Sequence, residues 1–60
     1  MVNFKFELDQ EVIIAVSNEQ GLIIARAQYR TSENQYLLRY KNNEGRAVEE
    51  WWGESALYSV

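Results

Sequence analysis

Sixty residues make one domain at most, and a chain of that length buries only about 60% of the surface it exposes when unfolded, so its stability margin is thin. It contains neither Cys nor His, which excludes disulfides, zinc fingers, haem ligation, thiol nucleophiles and every imidazole-based mechanism. Six Lys and Arg against nine Asp and Glu give a net charge of −3, a sign that opposes the attraction to phosphate on which nucleic-acid binders rely, so nucleic acid is not an expected partner.

The 47% apolar and 25% charged content is that of a globular domain. The longest apolar runs, residues 12–16 and 21–25, are far shorter than the ~20 residues that cross a bilayer as a helix. The first residues, Met1 to Lys5, show no basic stretch followed by a long apolar one, so no leader is read and the cytoplasm is the expected compartment.

Apolar residues recur with a period near two, in short β-branched or aromatic segments bounded by Asn, Glu, Ser and Gly, which predicts an all-β chain. The first strand is expected over residues 11–17, with Val12, Ile14 and Val16 inward. A turn at residues 18–21 follows, in which Gly21 supplies the positive φ. The second strand is expected over 22–30, with Ile23, Ala25, Ala27 and Tyr29 on one face and Leu22, Ile24, Arg26 and Gln28 on the other.

The third strand, 35–41, alternates most clearly, placing Tyr36, Leu38 and Tyr40 toward the core. The hairpin at residues 42–45 should carry Gly45 in the left-handed region. In the fourth strand, 46–52, Val48 and Trp51 both look like core residues although they sit three apart, so a bulge at Glu49 or Glu50 is expected. A single tight helical turn at 53–56 and a short strand at 57–60 complete the chain. The prediction is therefore one domain over 1–60, a small five-stranded SH3-like barrel with a short helical turn before its last strand. Its expected core is Val12, Ile14, Val16, Ile23, Ala25, Tyr36, Leu38, Val48, Trp51 and Leu57.

The runs from Phe6 to Val12, Gly21 to Arg26, Asn34 to Tyr40, Gly45 to Val48, and Trp51-Trp52 to Leu57 resemble small phage and prophage proteins of SH3-like fold and unassigned function. The resemblance covers residues 6–57 and implies fold and origin. More distantly, the same skeleton is similar to the plasmid-borne type II dihydrofolate reductases. That resemblance would imply a tetramer with one shared pore, NADPH as cofactor and a Val-Gln-Ile-Tyr segment at the pore. Aligning Leu57 with the corresponding leucine puts Glu49-Glu50-Trp51-Trp52 there. Two carboxylates would repel the anionic folate tail and the cofactor phosphate. No cofactor and no catalytic residue are therefore expected, and the reductase stands as the alternative reading.

Adjacent residues on a strand point to opposite faces, so one of Trp51 and Trp52 should fill the core and the other be displayed. Trp51 is read as the core member and Trp52 as the interface anchor. Arg26 and Arg39, on adjacent strands, are read as bracketing Glu49 or Glu50 in cross-strand pairs, or as a patch with Trp52 for a carboxylate or phosphate group. Leu37 and Leu22 add outward apolar surface. Tyr29, with Tyr36, Tyr40 and Tyr58, suits either rim packing or an aromatic cage for a cation. No metal site is expected. The functional reading is a small non-catalytic interaction module that forms a homo-oligomer and binds an unidentified protein or small molecule through Trp52, Trp51, Arg26, Arg39, Leu37 and Tyr29. Self-association is expected because ordering each residue costs about 1.5 kcal/mol, which so small a core offsets only narrowly.

Overall fold

The computed structural model describes residues 3–60. Met1 and Val2, which belong to the predicted 1–60 domain and to the stretch read as lacking a leader, lie outside the described residues. Five strands form one antiparallel sheet: β1 (Glu11–Ile14), β2 (Gln20–Ala27), β3 (Gln35–Lys41), β4 (Ala47–Gly53) and β5 (Leu57–Ser59), with a 3-10 turn, η1 (Glu54–Ala56), ahead of β5. Their spatial order is β4-β3-β2-β1-β5. The all-β architecture with one helical turn before the last strand is the one expected from the pattern. Among the described residues no helix is long and apolar enough to cross a membrane.

The inner rows of the strands bury Val12, Ile14, Ile23, Tyr36, Leu38, Tyr40 and Leu57, and Phe6 joins them from the segment preceding β1. Phe4, Val48 and Trp52 pack partly buried against this core. Phe6 was not foreseen because it stands outside any strand, where periodicity carries no signal. Its ring meets Tyr36 edge-on at a centroid distance of 5.3 Å and 72°, a favoured aromatic geometry.

Four local expectations are corrected. β1 ends at Ile14, and residues 15–17 turn away, which leaves Val16 81% exposed instead of in the core. Both Ser17 and Asn18 donate their backbone N–H to the Ile14 carbonyl. The left-handed residue of that turn is Asn18, at φ 62°, a residue that tolerates αL because its short amide hydrogen-bonds locally. Gly21 lies instead within β2 and is buried. A Cβ there would come within 3.3 Å of Leu38 Cβ and 3.4 Å of Tyr40 Cβ, so glycine serves close packing of β2 on β3.

The second strand stops at Ala27 and contains a bulge that alternation did not reveal. Ile23 pairs with Leu38 and Ala25 with Leu37, leaving Ile24 as the extra residue. The bulge reverses the expected faces beyond it: Ala25 turns outward and is only half-buried, while Arg26, paired with Tyr36, turns inward. Conversely, the bulge expected in the fourth strand is absent. Tyr40–Val48, Arg39–Glu49, Leu38–Glu50, Leu37–Trp51 and Tyr36–Trp52 pair without interruption.

The third strand and its turn follow the expectation closely. Asn42 Oδ1 accepts the N–H groups of Glu44 at 2.9 Å and Arg46 at 3.0 Å, and Gly45 takes φ 79° with open space where a Cβ would lie.

Candidate functional site

The unbroken β3–β4 register decides the roles of the two tryptophans. Tyr36 and Leu38 face inward, so their partners Trp52 and Glu50 lie on the inner row, and Leu37 and its partner Trp51 on the outer one. Trp51 is therefore the displayed member, 48% exposed, and Trp52 the one packed against the core. This reverses the assignment read from the sequence, in which Val48 and Trp51 shared a face. The physical reason is that the inner row of β4 includes Glu50. This carboxylate remains exposed, because an edge strand has a neighbour on one side only.

The outer face of the central strands carries a compact apolar cluster. Leu37 has Ala25 as its β2 partner and Trp51 as its β4 partner, and the bulged Ile24 adjoins this row. One row along, Leu22, Arg39 and Glu49 are cross-strand partners. Arg39 is held there by a two-pronged contact, Nη2 to Glu49 Oε2 at 2.8 Å and Nε to the same oxygen at 3.0 Å. Both side chains are about half-exposed, so the pair orients the guanidinium more than it stabilises the fold.

The other expected site residues lie elsewhere. Arg26 does not bracket Glu49 with Arg39 and cannot share a patch with it, since the two occupy opposite faces. Arg26 instead donates from Nη1 to the Phe6 carbonyl at 3.2 Å, stacks its guanidinium over the Phe4 ring at 4.4 Å and approaches Glu7 at 3.9 Å. These contacts secure the N-terminal segment and, with Asn3, line a shallow hollow of about 380 Å³. Tyr29 is exposed in the loop beyond the end of β2. No aromatic cage assembles from the four tyrosines: Tyr36 and Tyr40 are core, whereas Tyr29 and Tyr58 are exposed.

A polar knot at the inner end of β3 was not legible in the sequence. The Tyr36 hydroxyl accepts the backbone N–H groups of Lys5 at 3.0 Å and Phe6 at 3.3 Å, and donates to Glu54 Oε2 at 2.5 Å. Glu54 Oε2 also accepts the Lys5 N–H at 3.2 Å. Burial, then the bond to Glu54, pushes the Tyr36 phenol up from its usual range, and the phenol's donated bond holds Glu54 below the usual carboxylate range. At the other end of the strand, burial and then the carboxylates of Glu50 and Glu19 push Tyr40 up. The Trp52 indole N–H is close enough to the Tyr40 hydroxyl to oppose that shift, yet makes no well-formed hydrogen bond and stays buried.

The contacts these groups make are packing contacts, hydrogen bonds and ion pairs. Among the described residues no group of three or more acidic side chains could hold a metal ion. Comparison with protein-family models, with characterised proteins and with solved structures finds no match to this chain.

Proposed function

We propose that this chain is a small non-catalytic interaction module that self-associates and meets a protein or small ligand through β4 and the outer face of its neighbours. The observation that carries this reading is Trp51, half-exposed on an edge strand beside Leu37 and next to the fixed guanidinium of Arg39. Aromatic and Arg side chains on a rigid element are the typical anchors of an interface. A non-catalytic role is favoured over the reductase alternative by the charge of the candidate pore segment. Glu49 is engaged by Arg39, and Glu50 stands beside the Tyr40 hydroxyl at 3.4 Å. Neither position attracts an anionic folate or a nucleotide phosphate. A phage or prophage origin rests on the sequence resemblance.

The test is sedimentation velocity across the micromolar to millimolar range. The mass should rise above the 7.1 kDa of the single chain. Trp51→Glu should hold the chain at that mass while leaving its melting temperature, measured on dilute protein, within about a degree or two of the parent, as for other surface changes. A chain that stays at 7.1 kDa throughout would remove self-association from the proposal.

A further inference from the structure

Strand β4 lies at the end of the sheet order, so one side of its backbone is unpaired. Edge strands are ordinarily guarded by Lys, Pro or a bulge. The sequence of β4, Ala-Val-Glu-Glu-Trp-Trp-Gly, has neither residue, and its pairing to β3 runs without a register shift. Its only guards are Glu49 and Glu50, and those acids restrict which strand can join the edge.

We infer that the strand that joins this edge is β4 of a second copy, antiparallel, with the two-fold axis at Val48. This rests on the self-association proposed above and specifies its geometry. A two-fold axis normal to the sheet keeps inner rows with inner rows, so it must pass through a residue. Centred on Glu49 or on Glu50, it would set identical carboxylates directly opposite each other, an arrangement that destabilises a ladder. Centred on Trp51, it would oppose Glu50 to Trp52 and Glu49 to Gly53, with no charge met by its opposite.

Centred on Val48, it opposes Arg46 of each copy to Glu50 of the other, both on the inner row, and pairs Val48 with Val48. Among the described residues Arg46 makes no ion pair within its own chain, and the carboxylate of Glu50 is exposed. On the outer face, the same register brings Trp51 of each copy over the turn at Gly45 of the other. There a side-chain position stands in open space, and an indole opposite glycine fills what the glycine leaves bare. Among these four centres, charge and shape select Val48.

The experiment uses the whole chain, which has no cysteine of its own. Directly opposed residues of an antiparallel pair have Cα atoms about 4.5 to 5.5 Å apart, within disulfide reach. Val48→Cys should therefore form a disulfide-linked dimer under mild oxidation, and Trp51→Cys should not. Independently, Arg46→Glu or Glu50→Arg alone should weaken dimerisation about tenfold in sedimentation, and the double exchange should restore it. Circular dichroism on dilute samples checks that every variant is folded. A wild-type chain that stays monomeric overturns both this inference and the self-association beneath it. A dimer that cross-links at Trp51→Cys, or that ignores both charge reversals, overturns the register and leaves self-association standing.

Discussion

Tyr36 does the most work of any single residue. Its ring is fully buried between Phe6 and the inner row, and its hydroxyl ties the N-terminal segment, β3 and η1 together. Removing only that oxygen by Tyr36→Phe leaves the Phe6 N–H without its acceptor, and leaves the Lys5 N–H and Glu54 Oε2 with only the 3.2 Å bond to each other. The expected cost is about 1 to 3 kcal/mol, which calorimetry should read as a fall in melting temperature of roughly 4 to 8 °C per kcal/mol. The same bond gives the fold an acid limit. Because Glu54 is held below its ordinary value, its contribution is present above the ordinary carboxylate range and is lost as pH falls through the depressed one. Tyr36→Phe should flatten that acid dependence, and an NMR titration should show the Glu54 carboxyl moving back up. The alkaline limit has the opposite sign. Tyr36 and Tyr40 titrate above the ordinary 10.0 in the folded chain, so their contribution is intact below pH 10 and is lost as pH rises through the raised values. Unfolding and tyrosinate absorbance should therefore appear together in a base titration.

The elements show what pattern reveals and what it hides. β3 was read correctly from its alternation because strands flank it on both sides, which leaves its inner row uniformly apolar. β4 was misread because an edge strand tolerates Glu50 on the inner row, so the spacing of Val48 and Trp51 looked like a bulge. β2 was misread in the reverse sense. Its apolar residues 22–25 occupy both faces, and nothing in such a run marks Ile24 as the extra residue. The site carries the same two differences: the bulge at Ile24 puts Arg26 on the face opposite Arg39, and the unbroken β3–β4 register exchanges the tryptophans, although Leu37 and Arg39 keep the expected face. The exchange has a measurable consequence. Trp52→Ala should cost about 3 kcal/mol by leaving a cavity against the core, whereas Trp51→Ala should stay within about 0.5 kcal/mol in dilute solution. Equal losses from the two would contradict the register. At Gly21, where β2 and β3 approach closely, Gly21→Ala should cost about 1 to 3 kcal/mol by overpacking Leu38 and Tyr40, measured by urea denaturation.

At the scale of the whole molecule, few side chains are fully buried, and the core depends on a segment outside the sheet. Phe6 closes the inner face, and Arg26 and Tyr36 secure the backbone on either side of it. Of the exposed large apolar side chains, Trp51 stands on β4, whereas Leu8, Val16, Tyr29, Tyr58 and Val60 are scattered over turns, loops and the last strand. The N-terminal segment is committed to the core, and the proposed contact surface around Trp51 lies on the opposite face of the sheet from it. Replacing Phe6 by Ala should therefore lower the melting temperature without changing the dissociation constant of the proposed dimer, and Trp51→Glu should do the reverse.

The pairing of β1 with β5, Val12 opposite Ser59 and Ile14 opposite Leu57, joins opposite ends of the chain, whereas β2, β3 and β4 follow one another as a meander. Loop-closure entropy makes the meander the earlier event and the terminal ladder the later one. In stopped-flow refolding followed by tryptophan emission, Leu38→Ala should slow folding, and Leu57→Ala should chiefly accelerate unfolding. The last strand would then act as a latch: it sets how long the folded chain persists while contributing little to how quickly it forms. If Leu57→Ala slowed refolding in proportion to its loss of stability, β5 would belong to the folding nucleus instead.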